Sequence, residues 1–246
     1  DFNKLQFNKI ILQVNKIEVV GFTNELISYF DEEAVSRNIT INFEPSVKEL
    51  NDWLDPKMLE KIIYNIISNA FKFTPDGGII TVSIDELNSE NLLLIDGSSV
   101  PSFAITIKDT GSGIIKKDLK RIFDRFYQVN NLNKVYYGST GIGLEVVKEF
   151  VELHKGKIEV ESQVGEGTKF TVKFPLGKSF YSKKEIIEET YKLEKNKNKL
   201  LFEANKIKAN DDDFDNESTK EKVVEVIKNY TILIVEDNSE LRNYLK

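Results

Sequence analysis

The 246-residue sequence contains no cysteine and a single histidine, His154. Without thiols there is no disulfide framework, no cysteine-based zinc site and no thiol nucleophile, and one histidine excludes a multi-histidine metal centre. Proline is scarce, at 5 residues ending with Pro175. Of the 13 glycines only Gly21 lies outside the stretch from Gly77 to Gly177. Long apolar runs are also missing: Ile62-Ile63 with Ile66-Ile67, and Leu92 to Ile95, are the longest clusters, far short of the ~20 residues of a membrane span. No apolar core with a small-residue cleavage site follows Asp1-Phe2-Asn3-Lys4, so no targeting signal is expected there. Basic charge is in deficit, 34 Lys+Arg against 40 Asp+Glu for a net charge of −6. That balance argues against a nucleic-acid groove as the main surface. It leaves phosphate binding open, because backbone amides and a metal ion handle phosphate without net positive charge.

What is present is an ordinary globular composition, 40% hydrophobic and 30% charged. At roughly 150 residues per domain it fits one large domain or one and a half small ones. The chain opens without Met and ends at Leu245-Lys246 inside a helical pattern, so it is expected to be a piece of a longer polypeptide. From Lys178 to Tyr230 lysines and the run Asp211-Asp212-Asp213 accumulate with few aromatics beyond Tyr191. This predicts a charged, solvated linker over 178–230. Lys195-Asn196-Lys197-Asn198-Lys199 alone would suit a nucleic-acid tail, but the acidic run beside it favours the linker.

Upstream, apolar spacing alternates between the two regular periods. Leu5 to Lys9 reads as the end of a helix and Ile10 to Val14 as a short strand. Phe22, Leu26, Ile27, Phe30 and Ala34 predict a helix within Val19 to Asn38, and Thr40 to Phe43 a strand. Asp55-Pro56 is a helix start, an acid cap followed by proline at the first helical position. Met58, Leu59, Ile62, Ile63, Ile66, Ile67 and Ala70 form the stripe that this helix buries. Strands are expected at Ile79 to Ile84 and Phe103 to Lys108, then a helix from Gly141 to His154. Lys157 to Glu161 and Thr168 to Phe174 predict a hairpin around Gly165-Glu166-Gly167. Asn88 to Ser102, between two strands, carries no interpretable motif. The natural architecture is α+β, a mixed sheet packed on one layer of helices.

Three elements carry chemistry. On the helix opened by Pro56, Asn65, Asn69 and Lys72 fall within a ~60° arc beside the apolar stripe. Asparagine is a weak helix former, and an amide oxygen beside an ammonium suits Mg²⁺ and a phosphate oxygen, although a solvated edge would look the same. Asp109-Thr110-Gly111-Ser112-Gly113-Ile114 follows an apolar strand. It is either a strand-ending turn or a carboxylate that reads an amino group while glycines admit a flat ring. Gly138-Ser139-Thr140-Gly141-Ile142-Gly143-Leu144 runs into a helix, where freed amides and the helix dipole attract an anion. Its glycine order is not that of a Rossmann fingerprint, and it lacks the Lys-Ser/Thr of a Walker loop.

The order and spacing of these elements are more specific than any one of them. Residues 65–75 (Asn-Ile-Ile-Ser-Asn-Ala-Phe-Lys-Phe-Thr-Pro), 109–114, 122–127 (Ile-Phe-Asp-Arg-Phe-Tyr), the Gly138 loop and 165–170 (Gly-Glu-Gly-Thr-Lys-Phe) resemble the N, G1, F, G2 and G3 boxes of the sensor histidine kinase catalytic domain. The resemblance spans Val19 to Leu176 and implies a two-layer Bergerat-type ATP-binding fold with a mostly antiparallel sheet. It implies that Asn69 coordinates the Mg²⁺ bridging ATP phosphates, that Asn65 supports the metal or its water, and that Lys72 approaches the phosphates. Phe73 would sit by the adenine, Asp109 would accept from its exocyclic amine, and Gly111, Gly113 and Ile114 would line the ring. The loop 130–140 resembles the ATP lid, with Gly138, Ser139, Thr140, Gly141, Gly143 and Leu144 around the phosphates, and Thr168 matches the threonine behind the base. Phe123 and Phe126 are expected to pack and anchor one end of the lid.

Where relatives often carry an arginine after the Phe-Tyr pair, this sequence has Gln128, leaving Lys134 or Arg125 as a substitute cation. His154, before a glycine and a strand, is expected to be a last-turn cation or cap and not a phosphoacceptor. By the resemblance, residues 1–9 are the tail of an upstream dimerisation hairpin that bears the acceptor histidine, and 10–177 are the catalytic domain. Thr231 to Arg242 resembles the first strand of a receiver domain, with Glu236 and Asp237 at its edge. The implied whole is a hybrid sensor of a bacterial two-component system, a homodimer anchored at the inner membrane with this part in the cytoplasm. Its partners would be its own hairpin and receiver, with no nucleic acid or membrane bound by this fragment, which alone would be monomeric. An ATP-binding pseudokinase or interaction module, or an ATPase of the same superfold, are the alternatives.

Overall fold

The structure, a computed structural model, describes residues 11–93, 99–128, 141–188 and 191. The chain divides into two compact units, 1–211 and 212–246, and all described residues belong to the first. Residues 1–9, Lys134, Gly138, Ser139, Thr140 and the receiver-like segment 231–246 therefore lie outside the described residues.

The main sheet has five strands in the order β2-β4-β5-β7-β6: β2 (Thr40–Phe43), β4 (Ile79–Leu93), β5 (Ser99–Asp109), β6 (Lys157–Gln163) and β7 (Gly167–Pro175). Only β2 and β4 run parallel; the other three pairings are antiparallel. Ile80, Val82 and Ile84, Phe103, Ile105 and Ile107, and Phe170, Val172 and Phe174 alternate along their strands and are all buried. Register places Val82 opposite Ile107 and Ile105 opposite Val172, so these side chains line one face. The opposite face carries Thr81, Thr106, Lys169 and Lys173, and among the described residues helices cover one side only.

That layer contains α1 (Val19–Ile27), a 3₁₀ turn (Ser28–Phe30), α2 (Asp31–Ser36), α3 (Pro56–Phe73) and α4 (Gly143–Leu153). The expected helix within 19–38 is thus interrupted by the 3₁₀ turn, which buries Phe30 against Phe71. α3 begins where Asp55-Pro56 indicates, with the Asp55 carboxylate accepting from the Lys57 and Met58 amides. The whole predicted stripe from Met58 to Ala70 is buried.

A second sheet, β3-β1-β8, joins β1 (Val14–Glu18), β3 (Asn51–Leu54) and β8 (Ile186–Ile187). Two expectations are corrected here. The strand placed at Ile10 to Val14 runs instead from Val14 to Glu18, because its pairing with β3 buries Val14 and Ile17. The linker expected from Lys178 does not start there: Tyr181 is buried and Ile186–Ile187 pairs with Val14 and Asn15. Within the motifless stretch 88–102, residues 88–93 and 99–102 extend the β4–β5 pair, with a register shift between Leu87 and Leu92.

Candidate functional site

α3 and α4 pack on the sheet beside each other, and the candidate residues collect where the start of α4 meets the middle of α3. Asn65 and Asn69 stand half-buried on successive turns of α3. Asn65 Nδ2 donates to Lys61 O one turn back, at 2.7 Å, which turns its Oδ1 outward toward α4. There it meets Gly143: a Cβ on that glycine would lie 2.6 Å from Asn65 Oδ1. Glycine at this position is what lets the amide face and the helix start come together. Asn69 makes no side-chain hydrogen bond to any described residue. α4 begins at Gly143 with no side-chain cap on its first amides, since Ile142 stands at the cap position. A helix start without a cap, facing unspent amide groups, is suited to an anion.

The far wall is the turn after β5. Asp109 is 5% exposed, and its Oδ1 accepts from the Gly111 amide at 2.7 Å and the Thr168 amide at 3.2 Å. Its Oδ2 has no hydrogen bond among the described residues, leaving one acceptor free for a ligand. Burial raises the Asp109 pKa above the usual carboxylate range, while the two amides pull it down. Gly113 combines φ of 69° with a backbone approach to Gln163 that no Cβ would survive. Ile114 N donates to Ser162 Oγ, which donates to Gly167 O and lies 3.0 Å from Thr168 Oγ1. Thr168 is thereby fixed behind Asp109. Phe73 closes α3, 39% exposed, with the Lys72 ammonium 5.8 Å above its ring, and its carbonyl accepts from the Ser112 amide.

Asn65, Asn69, Lys72 and Phe73 on α3, Asp109, Gly111, Gly113, Ile114 and Thr168 at the sheet end, and Gly141, Gly143 and Leu144 at the start of α4 all belong to the described residues. Four points refine the expectations. Phe123 packs edge-on against Phe170, whereas Phe126 is 63% exposed and its backbone N–H donates to Gly141 O at 3.0 Å. Arg125 lies 3.5 Å from Glu145, about 200° round α4 from Gly143, so it faces away from Asn65. Arg125 is therefore a poor substitute for the arginine missing at Gln128. His154 does cap α4, but it is fully buried, and burial holds its pKa below the ordinary imidazole value, so it is a neutral cap and not a cation. Among the described residues no three His, Cys, Asp or Glu converge to hold a metal, and no helix is long and apolar enough to cross a membrane.

Residues 54–178 match the family of histidine kinase-, DNA gyrase B- and HSP90-like ATPases. Histidine kinase P4 of Formosa agariphila is 35% identical over 249 residues, covering 100% of this chain and 17% of the relative. Sensor histidine kinase WalK of Bacillus subtilis is 35% identical over 175 residues, covering 71% of this chain and 26% of the relative. The chain thus spans about a sixth to a quarter of these relatives. The nucleotide-free catalytic domain of histidine kinase ThkA shares the fold, with a TM-score of 0.56 at 19% identity over 68% of this chain and 100% of that one.

Proposed function

This chain belongs to the histidine kinase-, DNA gyrase B- and HSP90-like ATPase family, and from that membership we propose that its cleft between α3 and α4 binds Mg-ATP and donates the γ-phosphoryl to a histidine on another segment. The observation that carries this reading is the meeting of polar groups at one place: Asn69 without a hydrogen-bond partner among the described residues, Asn65 Oδ1 against Gly143, and a helix start with no side-chain cap. Asp109 Oδ2 is the acceptor for the adenine amine, at the opposite end of the cleft. Thr168 and the Gly111 amide hold that carboxylate in place.

The donor set suits Mg²⁺ carried in with phosphates. Neutral amide oxygens are hard ligands, and with no carboxylate cluster among the described residues they leave most positions to phosphate and water. Asn69 would hold the ion and Asn65 would support it; when bound, the ion neutralises charge that develops on the phosphates. The chain's own work is positioning. Asp109 fixes the base, the first amides of α4 hold phosphate oxygens, and Lys72 adds a cation at the end of α3.

Hydrolysis is disfavoured, because the residue at 65 is an amide and an amide cannot take a proton from water. His154 is not the acceptor, since both its nitrogens are engaged inside the protein. The acceptor belongs to the upstream hairpin, and a receiver aspartate downstream completes a phosphorelay. Supplying that hairpin in trans with γ-labelled Mg-ATP is the test. Acid-labile phosphate on the hairpin supports transfer; label on His154, or none while ATP is bound, refutes it.

A further inference from the structure

His154 does more than end a helix. Its Nε2 lies 2.9 Å from the Asp55 backbone nitrogen and its Nδ1 2.7 Å from Phe150 O. A backbone N–H only donates, so Nε2 is the acceptor and the proton sits on Nδ1. Asp55 is the cap of α3: Oδ1 accepts from Lys57 and Met58, and Oδ2 accepts from Gln13 N at 3.0 Å, just before β1. On the other side the Tyr181 ring stands at right angles to the imidazole, centroids 6.4 Å apart, and its hydroxyl lies 3.4 Å from His154 O. Tyr181 belongs to the return segment 176–187. That segment is tied down by Gly177 N to Asp52 Oδ1 at 2.7 Å and by Val14 N to Glu185 O at 2.7 Å.

The two helices therefore touch at two polar points, His154 on Asp55 and Gly143 on Asn65. Ten residues separate Asp55 from Asn65 and eleven separate Gly143 from His154, which at 1.5 Å per residue are ~15 Å and ~16 Å. The matched spans describe antiparallel helices, with α4 pinned at both its ends against the first half of α3.

We infer that His154 is a positioning residue for the nucleotide site: its hydrogen bond to Asp55 sets the register of α4 on α3, and so places the first amides of α4 against Asn65 and Asn69. This rests on the reading of that cleft as the nucleotide site. The groups around the imidazole are Asp55 on α3, Lys155 beside it and Tyr181 on the return segment, with Asp52 behind Tyr181. Protonating Nε2 removes the acceptor, so the pin is lost as pH falls below the ordinary imidazole value of 6.5.

The test uses two amides that each imitate one ring nitrogen. Glutamine places an oxygen where Nε2 stands and keeps the acceptor for Asp55; asparagine places a donor where Nδ1 stands and keeps only the bond to Phe150. NMR signals of the Gly143 amide and the Asn65 carboxamide report register without nucleotide, and calorimetry with the non-hydrolysable analogue AMP-PNP and Mg²⁺ reports affinity, both on the full 246-residue chain. We expect H154N to shift both signals and to weaken binding about tenfold or more, the scale of a buried N–H left without its acceptor. H154Q should keep the signals in place and the affinity within about threefold, as expected when the acceptor to Asp55 survives. Affinity of the native chain relative to H154Q should fall in acid. A role limited to capping predicts the reverse order, with asparagine the better replacement. Unmoved signals in H154N, or moved signals with native affinity, overturn the inference. Moved signals in H154N, with a native chain that binds no nucleotide, leave the register role standing and refute the nucleotide reading instead.

Discussion

The two ends of the α3–α4 pair use the same kinds of polar group in opposite ways. At the His154 end both imidazole nitrogens, both Asp55 oxygens and the Asp55 amide are hydrogen-bonded inside the protein. At the Asn65 end Asn69 is unspent, the first amides of α4 have no side-chain cap, and Asp109 keeps one oxygen free across the cleft. Leaving a polar group without a partner costs free energy unless solvent or a ligand supplies one. The saturated end therefore serves as scaffold, and the unsaturated end is the proposed site. A polar cluster is read by what it leaves unpaired, not by its composition.

The sharpest way to break the contrast is at Asp52, an exception at the scaffold end. It is 3% exposed, and its Oδ2 is buried without a partner. Burial pushes its pKa up from 3.8 to about 6, against the pull of the Gly177 and Trp53 amides. A folded value above the unfolded one means that folding favours the protonated form. The contribution of Asp52 to stability is thus full below about pH 4 and is lost as pH rises from there through 6, by about 3 kcal/mol in all. D52N should recover most of that loss at pH 8 and change little at pH 4. Chemical denaturation at the two pH values reads the difference directly.

Next in size is D109N. An amide in place of the carboxylate sets an NH₂ against either the Gly111 and Thr168 amides or the ligand amine. Nucleotide affinity should drop on the order of 100-fold with the fold retained by circular dichroism. Smaller again is Gly143→Ala, where the new Cβ would stand 2.6 Å from Asn65 Oδ1. Affinity should fall about tenfold, an effect of misplacement, and the cost should shrink in the background of N65A if contact is the cause. A double-mutant cycle measures that coupling. Least of all for the nucleotide, R125Q breaks an ion pair at 3.5 Å whose Arg125 Nε and Glu145 Oε2 are buried, about 200° round α4 from Gly143. Stability should fall, because Glu145 loses its cation, while nucleotide affinity should stay native.

Much of this was legible before any coordinates, and for physical reasons. Asp55-Pro56 and the stripe from Met58 to Ala70 are local signals, set by capping and helical period, and α3 follows them. Thr40–Phe43 was placed to the residue, and the order of the glycine motifs indicated the fold family. What escaped depends on distant partners. Asn51–Leu54 has no alternation of its own, and Asp52 is buried there only because Gly177 donates to it across 125 residues. The return segment carries Lys178, Lys183 and Lys184, which read as solvated, yet Tyr181 and Ile186 are held by His154 and Val14. His154 itself was legible as a cap, but its neutral state comes from burial under Tyr181 and Phe174. The roles of individual site residues were likewise suggested by resemblance, whereas the contact of Gly143 with Asn65 required the packed helices.

The claim on which the rest depends is that the unsaturated end of the helix pair takes Mg-ATP. Titrating AMP-PNP into the 246-residue chain with and without Mg²⁺, and into N69A under the same two conditions, addresses it most directly. Saturable binding that Mg²⁺ strengthens about tenfold or more in the native chain, with that gain gone in N69A, is the expected result for a ligand held partly through the metal. Binding that ignores Mg²⁺, or a Mg²⁺ gain that survives loss of the Asn69 amide, would contradict it.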